Sequence, residues 1–147
     1  MAHVDGVKDD AVATAARLAT AYILSLVGEV LRTIPIDLVD LLIVTAVSNA
    51  NLAAGPGDTA LGARRTPAHI GISRNAVSRA LNIPLETVRR RVAGLIARQV
   101  LAARPDGLVF MPDNPLGLGD NAALQAFNLQ QLRTLFHNLK ALGVALD

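Results

Sequence analysis

The apolar residues of the first thirty-five positions recur at helical spacing. Val12, Ala16, Ala19, Ile23, Leu26 and Val30 alternate steps of four and three, the spacing of a coiled-coil seam. This predicts one long helix from about Asp9 to Ile34, with Asp9 and Asp10 in its first turn beside the positive end of the helix dipole. Leu18, Tyr22, Leu24, Val27 and Leu31 lie largely off that seam and make the helix apolar on more than one side. Such a helix must be covered on several sides, and in a short chain a second subunit is the expected cover.

Pro35 breaks the pattern, and a second helix is predicted from about Asp37 to Asn51 with Leu38, Leu41, Leu42, Thr45 and Ala46 on one face. Residues 53 to 71, rich in Gly, Pro and small side chains, read as a loop and as the most mobile internal segment. A third helix is predicted from Ser73, whose hydroxyl can cap the first turn, to Leu81. Asn82 tolerates the left-handed conformation that ends a helix, and Pro84 suits the start of the next, about 84 to 101. There Val88, Val92, Leu95, Ile96 and Gln99 share one side, while Glu86, Arg89, Arg90 and Ala93 share another.

The "RPDG" turn signal at 104 to 107 separates two short runs, the second Leu108 to Met111, and predicts a two-stranded wing after the helix-turn-helix. A last helix restarts near Asp120, with Leu124, Phe127, Leu132, Leu135, Phe136, Leu139 and Leu142 as an apolar stripe and Gly143 as its stop. The expected fold is mainly α: a winged helix-turn-helix domain over 36–112, preceded by a dimerisation helix over 1–35. A C-terminal helix over 113–147 dimerises or packs, so that both long terminal helices form a dimer interface.

Composition narrows the choices. The chain of 147 residues is 52% hydrophobic but only 3% aromatic, so its core is built of Ala, Leu, Val and Ile, which suits helix packing. It contains no cysteine, which excludes disulfides, thiolate metal sites and a thiol nucleophile. A mean hydropathy of +0.40 raises the question of a membrane. Glu29 and Arg32 fall inside the first apolar stretch, and Asp37 and Asp40 inside the second, so a bilayer span is not expected of either. The N-terminus has no secretory pattern, and a cytoplasmic location is expected.

Charge is unevenly spread. Positions 64 to 104 hold nine arginines and one acid, Glu86, a net of +8 that leaves −6 for the rest of a chain whose total is +2. That asymmetry is expected where one part of a protein meets a polyanion and another does not.

The segment "ISRNAVSRALNIPLETVRRRVAGL", 72 to 95, resembles the helix-turn-helix of the cyclic-AMP receptor protein family of bacterial regulators, with the same length from Ile-Ser to the closing Leu and the same "ETV" in the recognition helix. The resemblance covers about residues 36 to 112. It implies a DNA-binding transcription regulator in which Glu86 and Arg90 read base edges in the major groove. A carboxylate accepts from cytosine N4 and a guanidinium forks onto guanine O6 and N7. Leu85, Asn82 and Arg91 depart from the family's pattern, which leaves the target sequence open, and cyclic-nucleotide control is not expected. The multiple-antibiotic-resistance-type regulators, which dimerise through both terminal helices, are similar in overall architecture.

The expected partners are therefore double-stranded DNA and a second copy of the chain. Arg89 joins Glu86 and Arg90 as base-reading. Arg74, Arg79, Arg91 and Arg104 are assigned to phosphates, with Arg64 and Arg65 as auxiliaries from the loop. A small-molecule effector pocket walled by Tyr22, Leu26, Phe127 and Phe136, and plain core packing by the same residues, are both compatible with the sequence. The rival reading is a winged helix used as a protein-interaction module, which would show an exposed apolar patch on the arginine face. No enzyme, metal site or cofactor is expected, because His3, His69 and His137 lack metal-ligand spacing. The pairs Asp9/Asp10 and Asp37/Asp40 fit first helical turns better than acid–base catalysis.

Overall fold

The structure, a computed structural model, describes residues 3–53, 70–112 and 122–144. It is mainly helical, with helices α1 (His3–Thr33), α2 (Leu38–Ala53), α3 (Arg74–Leu81), α4 (Leu85–Ala97) and α5 (Ala122–Ala141), and a small sheet of β1 (Ala102–Ala103) and β2 (Val109–Phe110). The chain divides into two compact units, one of Met1–Thr33 with Asp120–Asp147, the other Ile34–Gly119. The expected loop over 53–71 lies almost wholly outside the described residues.

In the first unit α1 packs on α5. The side of α1 that meets α5 carries Tyr22, whose hydroxyl donates to Asn128 Oδ1 at 2.7 Å, with Ala15, Leu18 and Leu26 half-buried at helical spacing around it. The expected seam is therefore split: Leu26 is half-buried and Val30 buried, but Val12 and Ile23 are exposed. On α5, Leu124, Phe127, Leu132, Leu135 and Leu139 are half-buried, whereas Phe136 and, just past the helix, Leu142 are exposed, and no α5 side chain is fully buried. Gly143, at φ +75, ends the helix as expected. Within Asp9–Thr33 of α1 an 18-residue window has a mean hydropathy of 1.5, and the helix is long and apolar enough to cross a membrane by length and composition. Glu29 and Arg32, expected to interrupt that stretch, stand at its end.

The second unit holds the fully buried side chains. Ile43 and Val47 of α2, Val77 of α3, Val88, Val92 and Leu95 of α4, and Val100, Leu101 and Val109 beyond it make its core. The buried face of α2 is thus Asp40, Ile43, Val44 and Val47, with buried Ile36 just before the helix; it is rotated from the expected one, and Leu38, Leu42 and Thr45 are exposed. Asp37 accepts from the Asp40 amide at 2.9 Å and caps α2.

Helix α4 is shorter than expected. It stops at Ala97, where Gln99 takes φ +60 and the amides of Gln99 and Val100 return to the carbonyls of Ile96 and Leu95. This is a Schellman closure made with Gln in place of the usual Gly, and buried Leu95 and Val100 supply its apolar contact.

The strands pair antiparallel, Ala102 opposite Phe110 and Ala103 opposite Val109. Their connection is the "RPDG" turn: the Gly107 amide donates to Arg104 O at 2.9 Å, and Gly107 sits at φ +84. Ile72, just before α3, bridges to Val109 from the other side, with both amide-to-carbonyl bonds at 2.9 Å. A Cβ on Gly71 would lie 2.4 Å from Leu108 Cβ, so this close approach needs glycine.

Candidate nucleic-acid interface

Three residues, Asn82 to Pro84, connect α3 to α4. Asn82 adopts φ 52, ψ 42, its amide bonds to Ser78 O, and the Ser78 hydroxyl in turn donates to Ile83 O at 2.6 Å. At the other end of α3, Ser73 Oγ accepts from the Ala76 amide at 3.1 Å, the expected cap. Two helices of eight and thirteen residues are thus held at fixed ends.

Burial of Val88, Val92 and Leu95 turns the opposite side of α4 outward. That side carries Glu86, Arg89, Arg90, Ala93, Gly94 and Ala97, all exposed. Glu86 and Arg89 form an ion pair at 3.5 Å with side chains 85% and 57% accessible, a contact weak enough to exchange for another partner. Arg79 and Arg90 are exposed and have no ion pair or hydrogen bond among the described residues. Among those residues no large exposed apolar side chain lies on α3 or α4.

One expected phosphate contact, Arg74, and one expected base reader, Arg89, meet in space. A cleft of about 420 Å³ is lined by Ser73, Arg74, Asn75 and Arg89, so the start of α3 and the first turns of α4 share it. Arg74 spends one of its five donors on Gly107 O at 2.9 Å, which ties α3 to the hairpin turn. Arg104, in that turn, pairs with Asp106 at 3.0 Å. Arg64 and Arg65 lie outside the described residues.

Arg91 does not belong with this face. It is directed at α2, where it pairs with Asp37 and reaches Asp40 at 3.5 Å. Arg98 completes the cluster, donating to Pro35 O at 2.6 Å and lying 3.7 Å from Asp40. Arg91, expected among the phosphate contacts, is thus engaged by Asp37 and Asp40 and is not on the outward face that carries Arg89 and Arg90. The Asp40 amide and the Arg91 guanidinium hold the Asp37 carboxyl below the ordinary aspartate value, against a smaller opposing effect of burial. Burial and the neighbouring Asp37 charge push Asp40 up, with Arg91 and Arg98 opposing. The hydrogen bond to Asp37 raises Arg91.

The sequence pattern did not assign this four-residue cluster. Its one visible signal is that Asp37 and Asp40 are a helical turn apart just upstream of a segment with a single acid. Of the effector-pocket walls named from sequence, Tyr22, Leu26 and Phe127 are half-buried and Phe136 is 50% exposed. Among the described residues no three His, Asp or Glu side chains converge as a metal site, and His137 is exposed on α5. No family model matches the chain, nor does any curated protein or solved structure.

Proposed function

We propose that the second unit is a winged helix-turn-helix in which α4 enters the major groove of double-stranded DNA, and that the protein is a cytoplasmic, sequence-specific transcription regulator. The observation that carries this reading is the outward face of α4: Glu86, Arg89 and Arg90 stand exposed together, backed by a fully buried Val88–Val92–Leu95 stripe. A rigid helix with acceptor and donor groups on its outer face has the chemistry for base edges, Glu86 toward cytosine N4 and Arg90 toward guanine. Arg74, which shares a cleft with Arg89, and Arg79 at the end of α3 suit backbone phosphates. The hairpin, tied to α3 through Arg74 and Gly107, is the wing of this arrangement.

A protein-docking role for α4 has little to rest on. The large exposed apolar residues of this unit among those described, Leu38 and Leu42, are on α2. Docking through α4 would bury charges without the apolar anchor that interfaces use.

The test is fluorescence-anisotropy binding to a pool of random duplexes across a salt series, with the Arg89→Ala/Arg90→Ala variant in parallel and bound duplexes sequenced. Salt-dependent binding that enriches a sequence and is lost in the variant is the expected result. No binding at low salt would discard the reading.

A further inference from the structure

Asp40 is the one buried polar or charged residue among those described, and it stands where α2 packs on α4. Its two oxygens face two different arginines. Oδ1 lies 3.5 Å from Arg91 Nη1, and Oδ2 lies 3.7 Å from Arg98 Nη1. Each arginine has a second anchor near the start of α2. Arg91 pairs with Asp37, which also caps that helix, and Arg98 donates to the Pro35 carbonyl at 2.6 Å.

Arg91 and Arg98 are seven residues apart, so nearly two helical turns bring them to one edge of α4, about 10 Å apart along its axis. This edge flanks the buried stripe of Val88, Val92 and Leu95, while Glu86, Arg89 and Arg90 lie around the rest of the helix. The roll of α4 about its own axis therefore decides two things at once: whether both arginines reach Asp40, and where Glu86 and Arg90 point. Aliphatic contacts have no direction and tolerate a small roll. The bonds of Arg91 to Asp37 and of Arg98 to Pro35 O do have one, and a carboxylate met at two levels of one helix opposes both roll and tilt.

We propose that Asp40 is the positioning residue of the outward α4 face: through Arg91 and Arg98 it fixes the roll of α4 against α2, and so sets the sequence discrimination of Glu86 and Arg90. It acts in this way on DNA only if α4 enters DNA, as proposed above. As a source of stability a desolvated carboxylate is poor, because desolvation offsets most of its attraction to a cation, and a fixed arrangement is the return on burying it. Arg74 and Arg79 belong to α3 and attract phosphates without this cluster. Loss of the clamp should then spare affinity for any duplex and remove the preference for one.

The test uses the whole chain and two readouts. Because the chain has no cysteine, Thr45→Cys on α2 and Ala93→Cys on α4, both exposed, carry a spin-label pair whose distance distribution double electron–electron resonance measures without DNA. Adding Asp40→Asn or Arg98→Gln should broaden or shift that distribution while the helical circular dichroism stays that of the parent. An unmoved distribution in both overturns the proposal. Should Asp40→Asn fail to fold, Arg98→Gln, whose side chain is 42% accessible, carries both readouts.

The second readout is anisotropy with the enriched duplex and with random duplexes. The ratio of the two affinities should fall at least tenfold in Asp40→Asn and in Arg98→Gln, with Asp40→Asn keeping its affinity for random duplexes within about twofold. The double variant should lose no more than Asp40→Asn alone, because both changes act through one carboxylate. Equal losses on both kinds of duplex, or additive losses in the double variant, would overturn positioning in favour of a general weakening of the fold. If the unaltered chain binds no DNA but the distribution moves in Asp40→Asn, the DNA reading fails and Asp40 still holds α4. If it binds no DNA and the distribution is unmoved, both fail.

Discussion

Arg91 and Asp40 face each other across the α2–α4 contact, 3.5 Å apart, with Asp40 only 8% exposed. Within the run Arg89 to Arg91, one helical step of about 100° separates an arginine that points outward from one that ties two helices together. The consequence is a separation of roles that single substitutions can read. Arg91→Ala leaves Asp40 with Arg98 at 3.7 Å as its remaining cation and should lower the urea midpoint through the stranded carboxylate. Arg90→Ala, on the exposed face, should leave the urea midpoint unchanged. Equal midpoints for the two variants would mean that the cluster contributes nothing to folding.

The same cluster sets a pH dependence with two opposed limbs. Asp37 is held below 3.8, so between its folded value and 3.8 the unfolded chain binds more protons, and stability is lost as pH falls through that range. Asp40 is raised above 3.8, so between 3.8 and its folded value the native state binds more protons, and stability falls as pH rises. Urea midpoints should therefore hold steady or rise slightly on mild acidification toward pH 4, then drop below it. Asp40→Asn should abolish the upper limb and Asp37→Asn should flatten the lower one. An unchanged profile in both variants would show that other carboxylates govern acid unfolding.

Asp40 also explains where sequence reading of the fold went astray. Placing Leu38, Leu41 and Leu42 inward is the natural choice, because the alternative buries a carboxylate at the centre of the face. The chain takes the alternative, since two arginines more than fifty residues away meet that carboxylate and the β-branched Ile43, Val44 and Val47 fill the core. No local pattern contains this pairing. By contrast the ends of α3, the start of α4 and the hairpin turn were legible, because Ser73, Asn82, Pro84 and Gly107 act on their own backbone neighbourhood. The end of α4 was not, because a left-handed Gln99 carries no such signature. For the site, the outward set Glu86, Arg89 and Arg90 followed from helical periodicity alone, while the turn of Arg91 toward Asp37 and Asp40 needed the position of α2.

If α4 reads DNA, the arginines divide by salt dependence. Arg90→Ala should lose about 1–3 kcal/mol on the preferred duplex and little on others, because a base contact carries sequence information. Arg79→Ala should weaken all duplexes alike and lower the slope of log K against log salt by about one unit. Arg104→Ala should lower it less, since Asp106 at 3.0 Å already offsets that charge. Anisotropy titrations at four salt concentrations measure all three. A uniform loss for Arg90→Ala would move it to the phosphate set.

Gly71 gives a test of the hairpin's placement. A methyl group there meets Leu108 Cβ at 2.4 Å, with the backbone of Leu108 and Val109 at 3.3 Å behind it, so the side chain cannot simply rotate away. Gly71→Ala should force apart the Ile72–Val109 bridge and cost about 1–3 kcal/mol, the range of overpacking. Hydrogen exchange should show the amides of Ile72 and Val109, each bonded at 2.9 Å to the other residue's carbonyl, losing protection together. The α3–α4 turn should keep its protection, because its bonds run through Ser78, Asn82 and Ile83 and do not involve the hairpin. Full retention of both amides would mean that Leu108 yields freely and that the approach of Gly71 to the hairpin is looser than 2.4 Å implies.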